Sequence, residues 1–192
     1  MTNTDIKQVN IFGKGGHASV VKDTIEKYSN LSCNVSMYDT DDYSLSDAGF
    51  WIIAIGDNQA RKRVYEKLKK NFFLSIIHNQ SNCDIHPGVG SQIMKGATIQ
   101  CNVKIGNHTI INTSSAVDHD CVIGSFVHIA PNSTLCGNVK IGDGTLIGAG
   151  SVILPNIKIG KNCIIGAGSV VIKDVPDNKT FFGNPASEKK IG

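Results

Sequence analysis

An aliphatic residue at every sixth position is the feature that most constrains this chain. The register runs from Ile93 to Val171 through fourteen positions without a gap. The residue two places before each of them is small or slim, as Val139 is before Ile141. A spacing of six matches neither the 3.6-residue period of a helix face nor the two-residue period of a flat strand. It is typical of the hexapeptide repeat of a parallel β-helix.

Each six-residue unit is predicted to contain a three-residue strand and a three-residue turn. Val139 and Ile141 point inward, Lys140 points outward, and Gly142 begins the turn, where we expect glycine to permit unusual backbone angles. Three units close a triangular coil, so residues 18 apart stack at about 4.8 Å. We therefore predict a β-helix of about five coils over residues 81–175, followed by a C-terminal tail over 176–192.

Residues 1–80 carry a different pattern, in which strands alternate with helices. Apolar runs predict strands at 9–12, 35–38, 51–55 and 74–77, and helical spacing predicts helices at 17–28 and 59–70. This order indicates a small parallel α/β sheet, about half of a dinucleotide-binding fold. The segment Gly13-Lys14-Gly15-Gly16-His17 joins the first strand to the first helix, a context that favours phosphate binding. A plain strand-to-helix turn is the alternative.

Composition excludes some classes of function. The net charge of +3 is mild, and no basic block suggests a nucleic-acid partner. No run of 18 apolar residues and no signal peptide occur, so we expect a cytoplasmic protein without membrane insertion. The six cysteines show no C-x-x-C pair and are interpreted as reduced thiols.

The segment Asp118-His119-Asp120 is the first candidate for chemistry, because packing does not require an imidazole between two carboxylates in a turn. A carboxylate that binds one ring nitrogen makes the other nitrogen more basic, as a general base requires. A solvated polar turn is the alternative. Gly137 stacks beside His119 one coil later, and its N–H is a candidate oxyanion donor. His128 lies on another face, so the two histidines are expected to meet only between subunits, although a plain surface histidine is the commoner interpretation.

Four segments together resemble the bacterial nucleotide-aminosugar N-acetyltransferases, which are relatives of the sialic acid O-acetyltransferases. The segments are 13–17, 53–58 with Arg61, 112–124 and 183–186. The resemblance covers nearly the whole chain. It implies a left-handed β-helix and a homotrimer with active sites in the grooves between subunits.

The resemblance also implies roles for particular residues. His119 matches the catalytic base, and Asp120 matches an acid that is commonly Glu. The match implies acetyl-CoA contacts from His128 and from backbone amides at Gly148, Ala149, Gly150, Gly166, Ala167 and Gly168. The nucleotide sugar is expected to contact Gly13, Lys14, Gly15, Gly16, His17, Asp39, Gly56 and Asn58. His108, His119 and His128 are possible zinc ligands, but they lack the histidine pair five residues apart of β-helix carbonic anhydrases, so we expect no metal.

The predicted activity is acetyl-CoA-dependent N-acetylation of a nucleotide-linked amino-deoxysugar, of the 4-amino-4,6-dideoxy type, for surface glycan biosynthesis. The amine is expected to attack directly, because no Ser or Cys is placed beside the base to form an acyl-enzyme. Two alternatives stay open: O-acetylation of a sugar or sialic acid, and a non-catalytic trimeric binding protein. The sequence does not choose between UDP, dTDP and GDP.

Overall fold

The computed structural model describes residues 6–28, 31, 33–39, 49–69, 71–83 and 85–189. Its amino-terminal part is a four-stranded parallel sheet. The strands are β1 (Gln8–Phe12), β2 (Asn34–Tyr38), β3 (Phe50–Ile53) and β4 (Phe72–Phe73), in the order β2-β1-β3-β4. Apolar side chains cover both faces of this sheet, as the uninterrupted apolar run of β3 requires.

Two helices pack against this sheet. Helix α1 (Gly16–Asp23) continues into a π-helical turn at Thr24–Tyr28, and helix α2 covers Asn58–Leu68. Asp57 is the N-cap of α2, because its Oδ1 accepts a hydrogen bond from the backbone N–H of Ala60 at 2.6 Å. The predicted helices are therefore present with slightly shifted ends.

The rest of the chain winds into a prism with three parallel faces. The first face contains β5 (Ile76–Ile77), β7 (Gln92–Ile93), β10 (Ile110–Ile111), β13 (His128–Ile129), β16 (Leu146–Ile147), β19 (Ile164–Ile165) and β21 (Thr180–Phe182), with the antiparallel β22 (Ser187–Glu188) at its end. The second face contains β6 (Asn82–Cys83), β8 (Thr98–Ile99), β11 (Ala116–Val117), β14 (Thr134–Leu135), β17 (Val152–Ile153) and β20 (Val170–Val171). The third contains β9 (Lys104–Ile105), β12 (Val122–Ile123), β15 (Lys140–Ile141) and β18 (Lys158–Ile159).

The prism extends beyond the fourteen repeats at both ends. The strand expected at 74–77 is different in the structure. The fourth strand of the amino-terminal sheet is β4, which ends at Phe73, whereas Ile76–Ile77 pairs with β7 on the first face of the prism. At the other end, β21 pairs with β19 and Phe181 joins the core. The first face therefore has seven parallel strands, although the repeat alone spans about five coils.

The inward aliphatic column is the core of the prism, and hydroxyl groups tie neighbouring coils together. Ile111, Ile129 and Ile147 are fully buried, like the slim residues two places before such positions. The buried hydroxyl of Ser133 donates to Gly148 O at 2.9 Å, and Thr145 Oγ1 donates to Gly160 O at 2.7 Å. A small polar side chain at this position therefore satisfies a turn carbonyl of the next coil.

The turns have a second six-residue register, which the sequence analysis missed. Every sixth residue from Gly90 to Gly168 has a positive φ, and most of these residues are Gly, Asn, Asp or Ser. Gly and Asn tolerate this left-handed conformation best. His108 and Phe126 are the bulky exceptions.

The expected role of Gly142 is wrong. It is Gly144, two residues later, that has a positive φ of 72°. A Cβ on Gly142 would lie 2.6 Å from backbone atoms of Gly160 and Lys161, so this position needs glycine because the next coil approaches it closely. Within the described residues, no helix is long and apolar enough to cross a membrane.

Candidate active site

His119 lies in an exposed turn after β11, between two carboxylates. Its side chain is 54% exposed, and its Nδ1–H donates to Asp120 Oδ2 at 2.7 Å. Asp118 Oδ1 accepts from the His119 backbone N–H at 2.7 Å, and Asn102 Nδ2 donates to Asp120 Oδ1 at 3.0 Å. The hydrogen bond to Asp120, followed by the charge of Asp118, raises the pKa of His119. With Nδ1–H held by Asp120, the neutral ring carries its lone pair on Nε2.

Gly137 lies directly against that lone pair. A Cβ on Gly137 would be 2.6 Å from His119 Nε2, so any larger residue there would displace the ring. The carbonyl of Gly137 accepts from Asn156 N, whereas its N–H has no partner among the described residues. A free donor and a basic nitrogen therefore lie side by side.

His128 has a different environment from His119. It projects from β13 on the first face, toward the amino-terminal sheet, and its Nδ1 lies 3.0 Å from Gly56 O. Because a carbonyl only accepts, Nδ1 carries the proton, and Nε2 accepts from Asn112 Nδ2 at 3.0 Å. Burial, followed by the charge of Arg61, lowers the pKa of His128 to about 4. His128 is therefore a neutral ring with both nitrogens engaged, not a base.

Two glycine-containing segments, 148–150 and 166–168, stack on one corner of the prism. Gly168 N donates to Ala149 O at 2.8 Å, and Ala149 and Ala167 are exposed. The N–H groups of these two alanines have no partner within the described part of the chain. The corner therefore presents a line of free backbone donors.

The loop between β1 and α1 forms one wall of a cleft of about 720 Å³. Phe12, Gly13, Lys14, Gly15, Gly16, His17, Asp39, Ala54, Ile55, Gly56, Ala60, Arg63, Val64 and Lys67 line it. The predicted substrate residues therefore lie together, except Asn58. Asn58 is buried and donates to Gly144 O and Thr145 O, both at 3.1 Å, on the side of α2 that faces the prism.

Arg61 joins the amino-terminal sheet to the prism. Its guanidinium is completely buried and donates to His108 O at 2.8 Å, Asn58 Oδ1 at 2.6 Å and Val127 O at 3.2 Å. It also reaches Ile55 O and Gly56 O. Burial lowers its pKa to about 10, so the group stays charged at neutral pH.

His108 serves packing rather than ligand binding. Its ring stacks on Phe126 at 5.1 Å and lies 4.6 Å from Tyr65, between α2 and the prism. Burial and the charge of Arg61 lower its pKa to about 4. The described residues contain no group of three or more side chains suited to hold a metal ion, and the five described cysteines are free thiols.

Sequence reasoning missed three residues that orient the site. Asn102, Asn112 and Gln92 each hold one histidine: His119 through Asp120, His128 directly, and His17 directly. Asn102 is 18 residues before Asp120, a relation that the repeat makes visible in the sequence. For the other two, only the folded contacts identify the partner.

Comparison with known proteins places these features in a family. A model of the bacterial transferase hexapeptide (six repeats) matches residues 120–154 and 138–173. The solved structure of a variant of perosamine N-acetyltransferase from Caulobacter crescentus, in complex with CoA and GDP-perosamine, is 31% identical. The alignment covers 96% of this chain and 98% of the perosamine N-acetyltransferase chain, with a TM-score of 0.89.

Two further structures are similar over almost their whole length. The acetyltransferase domain of PglB from Neisseria gonorrhoeae is 28% identical, covers 95% of this chain and 100% of that chain, and has a TM-score of 0.84. The same domain has also been solved in complex with acetyl coenzyme A. WeeI from Acinetobacter baumannii is 27% identical, and the alignment covers 95% of this chain and 100% of WeeI, with a TM-score of 0.81.

The hexapeptide match and the left-handed β-helix shared with these structures define an acyltransferase of the hexapeptide-repeat class. The chain belongs to the family of bacterial nucleotide-aminosugar N-acetyltransferases. The predicted fold class and the predicted family are both confirmed.

Proposed function

We propose that this enzyme transfers an acetyl group from acetyl-CoA to the amino group of a nucleotide-linked amino-deoxysugar. The observation that carries the proposal is the pairing of a lone pair on His119 Nε2 with a free N–H on Gly137. Amide formation at a thioester needs both, a proton acceptor for the amine and a donor for the oxyanion. The similar proteins with CoA, acetyl coenzyme A or GDP-perosamine bound support these two substrates.

In the proposed mechanism the sugar amine attacks the thioester carbonyl, and His119 Nε2 takes one proton from the amine as the C–N bond forms. The oxyanion of the tetrahedral intermediate accepts a hydrogen bond from the Gly137 N–H. Collapse breaks the C–S bond, and the CoA thiolate leaves with the proton that His119 holds. Asp120 stabilises the imidazolium between these steps.

Acetyl-CoA is proposed to lie along the corner formed by segments 148–150 and 166–168. The free N–H groups of Ala149 and Ala167 are suited to the amide carbonyls of the pantetheine arm. A Cβ on Gly150 or Gly168 would meet nothing within 4 Å, so the corner is open to a ligand. In the tail, Lys179 pairs with Glu188 at 2.7 Å and Lys189 lies over the Phe182 ring, so we propose no contact between these two lysines and the CoA phosphates.

The nucleotide sugar is proposed to bind in the 720 Å³ cleft. Lys14, Arg63 and Lys67 line it together with the N-terminus of α1, and both kinds of group favour a diphosphate. Asp39 follows β2, where a carboxylate in half of a dinucleotide fold binds ribose hydroxyls. We propose an acceptor sugar of the 4-amino-4,6-dideoxy type.

We also propose that the enzyme is a homotrimer. His119 follows β11 on the second face. His128 and the 720 Å³ cleft, which we call the acceptor cleft, lie beside the first face. A second subunit that contributes its first face would bring these groups together. Sedimentation at assay concentration should give a trimer that is active, and an active monomer would contradict the arrangement.

The decisive variant is His119→Ala. We expect kcat to fall roughly 10²–10⁴-fold, the usual contribution of a general base. The melting temperature should stay unchanged because the side chain is exposed. Turnover of a dTDP-, UDP- or GDP-linked 4-amino sugar with acetyl-CoA measures this, and near-normal kcat would contradict the assignment.

Product chemistry separates the proposed N-acetylation from O-acetylation. An amide product should resist alkaline hydroxylamine, whereas an acetyl ester would be cleaved by it. A hydroxylamine-labile product would show that the acceptor is a hydroxyl group.

A further inference from the structure

Gln92 is a buried polar side chain on β7, at the junction of the prism and the amino-terminal sheet. Its Nε2 donates to the backbone carbonyl of Ile53 at 3.0 Å, and its Oε1 lies 2.8 Å from His17 Nε2. A backbone carbonyl only accepts hydrogen bonds, so the orientation of the Gln92 amide is fixed. His17 Nε2 must therefore donate, and this nitrogen carries a proton.

The other ring nitrogen of His17 is left with a lone pair. Nδ1 has no hydrogen-bond partner among the described residues, and His17 lines the acceptor cleft. Burial, together with the charge of Arg61, lowers the pKa of His17 against the effect of the Gln92 hydrogen bond. The groups that face this ring are Gln92, the Arg61 charge and the neutral His128 ring 6.4 Å away.

This lone pair contrasts with the other polar groups of the cleft. Lys14, Arg63 and Lys67 are cations that only donate, and the start of α1 also presents N–H groups. Among the described residues that line the cleft, two side chains can accept a hydrogen bond: the Asp39 carboxylate and Nδ1 of His17. A phosphate oxygen is also an acceptor, so it cannot form a hydrogen bond with the lone pair on His17 Nδ1.

We propose that Gln92 is a positioning residue that fixes the tautomer of His17, so that Nδ1 accepts a hydrogen bond from an amine or hydroxyl of the sugar nucleotide. The inference rests on the proposed function, and it assigns His17 to the donor-bearing sugar or ribose rather than to the diphosphate. Selectivity follows, because an acceptor that carries an oxo group in place of that amine or hydroxyl would leave Nδ1 unpaired.

The variant Gln92→Glu tests the proposal by inverting the proton arrangement. The new carboxylate has no N–H group to donate to Ile53 O. Its negative charge also favours a second proton on His17, which converts Nδ1 into a donor. We expect KM for the sugar nucleotide to rise about tenfold near pH 7 and to recover as the pH is raised, because the imidazolium then loses its second proton. KM for acetyl-CoA should stay within about twofold.

A matched control is Gln8→Glu. Gln8 also donates through Nε2, to Asn10 Oδ1 and Ser36 Oγ, but it lies at the start of β1, away from the cleft. This variant should leave both KM values and their pH dependence unchanged. A merely structural effect of Gln92→Glu would instead change both KM values, and the changes would not be reversed at higher pH.

A second measurement does not depend on any variant. Long-range ¹H–¹⁵N NMR of histidine-labelled enzyme without substrate should show an unprotonated Nδ1 and a protonated Nε2 for His17. The opposite tautomer, or a doubly protonated ring at pH 7, would overturn the inference. An active enzyme whose sugar KM ignored Gln92→Glu would overturn it as well, whereas an enzyme that acetylated no sugar nucleotide would contradict the proposed function itself.

Discussion

Hydrogen-bond partners fix the tautomers of three histidines: His119 and His128 carry the proton on Nδ1, and His17 carries it on Nε2. Asp120 holds Nδ1 of His119 and leaves Nε2 basic, whereas Gly56 O holds Nδ1 of His128 and Asn112 occupies its Nε2. His17 is held at Nε2 by Gln92. Exposure decides the direction of each pKa shift. The carboxylates raise the pKa of the exposed His119, whereas burial lowers the pKa of His128 and of His17.

The variant Asp120→Asn tests this account through the pH profile. As the proposed general base His119 must be unprotonated, so its raised pKa should make kcat/KM fall as the pH drops through a value above 6.5. Removal of the carboxylate charge should move this acidic limb to lower pH and also lower the maximal kcat, because the base is weaker. Asn is compatible with the φ of 59° at this position.

Asp143→Asn is the control for that profile. Asp143 is also a turn carboxylate, but it accepts from Ser125 N on another corner of the prism. This variant should leave the acidic limb where it is. An Asp120→Asn enzyme with an unshifted limb would show that Asp120 does not govern the basicity of His119.

The sequence predicted the candidate base, but it did not predict the protonation of the other two histidines. The Asp-His-Asp turn identified His119 because short-range contacts are visible in consecutive residues. The neutrality of His128 was not predictable, because it depends on Gly56 and Arg61, which are remote in sequence and approach only in the fold. The same holds for Gln92, which lies 75 residues from His17.

At the scale of elements, the turns of the prism use glycine for two distinct reasons. Gly144 has a positive φ, whereas Gly142 leaves room for the backbone of the next coil. The sequence located the turn that contains both glycines correctly, because the aliphatic register fixes the strands on either side of it. It did not separate the two reasons, because close approach between coils depends on atoms 18 residues away.

The variant Gly142→Ala should destabilise the fold without a strained φ. Its Cβ would lie 2.6 Å from the backbone of the next coil, which cannot move as a side chain can. We expect the free energy of unfolding to fall by about 1–3 kcal/mol, the usual cost of overpacking. Urea denaturation measures the change.

Gly15→Ala is the matched comparison for stability. A Cβ at Gly15 meets nothing within 4 Å, and its φ is −83°. The free energy of unfolding should therefore stay unchanged. Equal stability of the two variants would show that the coils can separate enough to accept the extra methyl group.

At the scale of the whole molecule, the sites proposed for the two substrates lie in separate regions. The 720 Å³ cleft lies beside the amino-terminal sheet, and the free N–H groups of Ala149 and Ala167 lie on a corner of the prism. The two different periodicities predicted the two structural parts, and the family resemblance implied which substrate each part would bind. Arg61 is the part that it did not predict, since a basic helix with Arg61, Lys62 and Arg63 gives no sign of which cation is buried between the two regions.

Two variants should affect the two substrates independently. Gly15→Val fills part of the cleft and should raise KM for the sugar nucleotide by roughly tenfold or more, with little change for acetyl-CoA. Ala149→Arg covers the exposed corner and should do the reverse. If Gly15→Val left the sugar KM unchanged in a folded enzyme, the cleft would not be the acceptor site.

Between β7 and β20 every coil has 18 residues, so residue number is a measure of height along this part of the prism. Each step of 18 residues raises a position by about 4.8 Å at the same corner, so His119 and Gly137 differ by one step, as do Ala149 and Ala167. The first and last coils have 16 residues, because β5 pairs with β7 and β19 with β21 at that separation, so a turn can lose two residues while the strands stay on their faces. The corner that carries the free N–H groups of Ala149 and Ala167 can therefore be extended in the same direction by the addition of whole coils, and we expect homologues with a longer prism to differ there by whole coils of 16 to 18 residues.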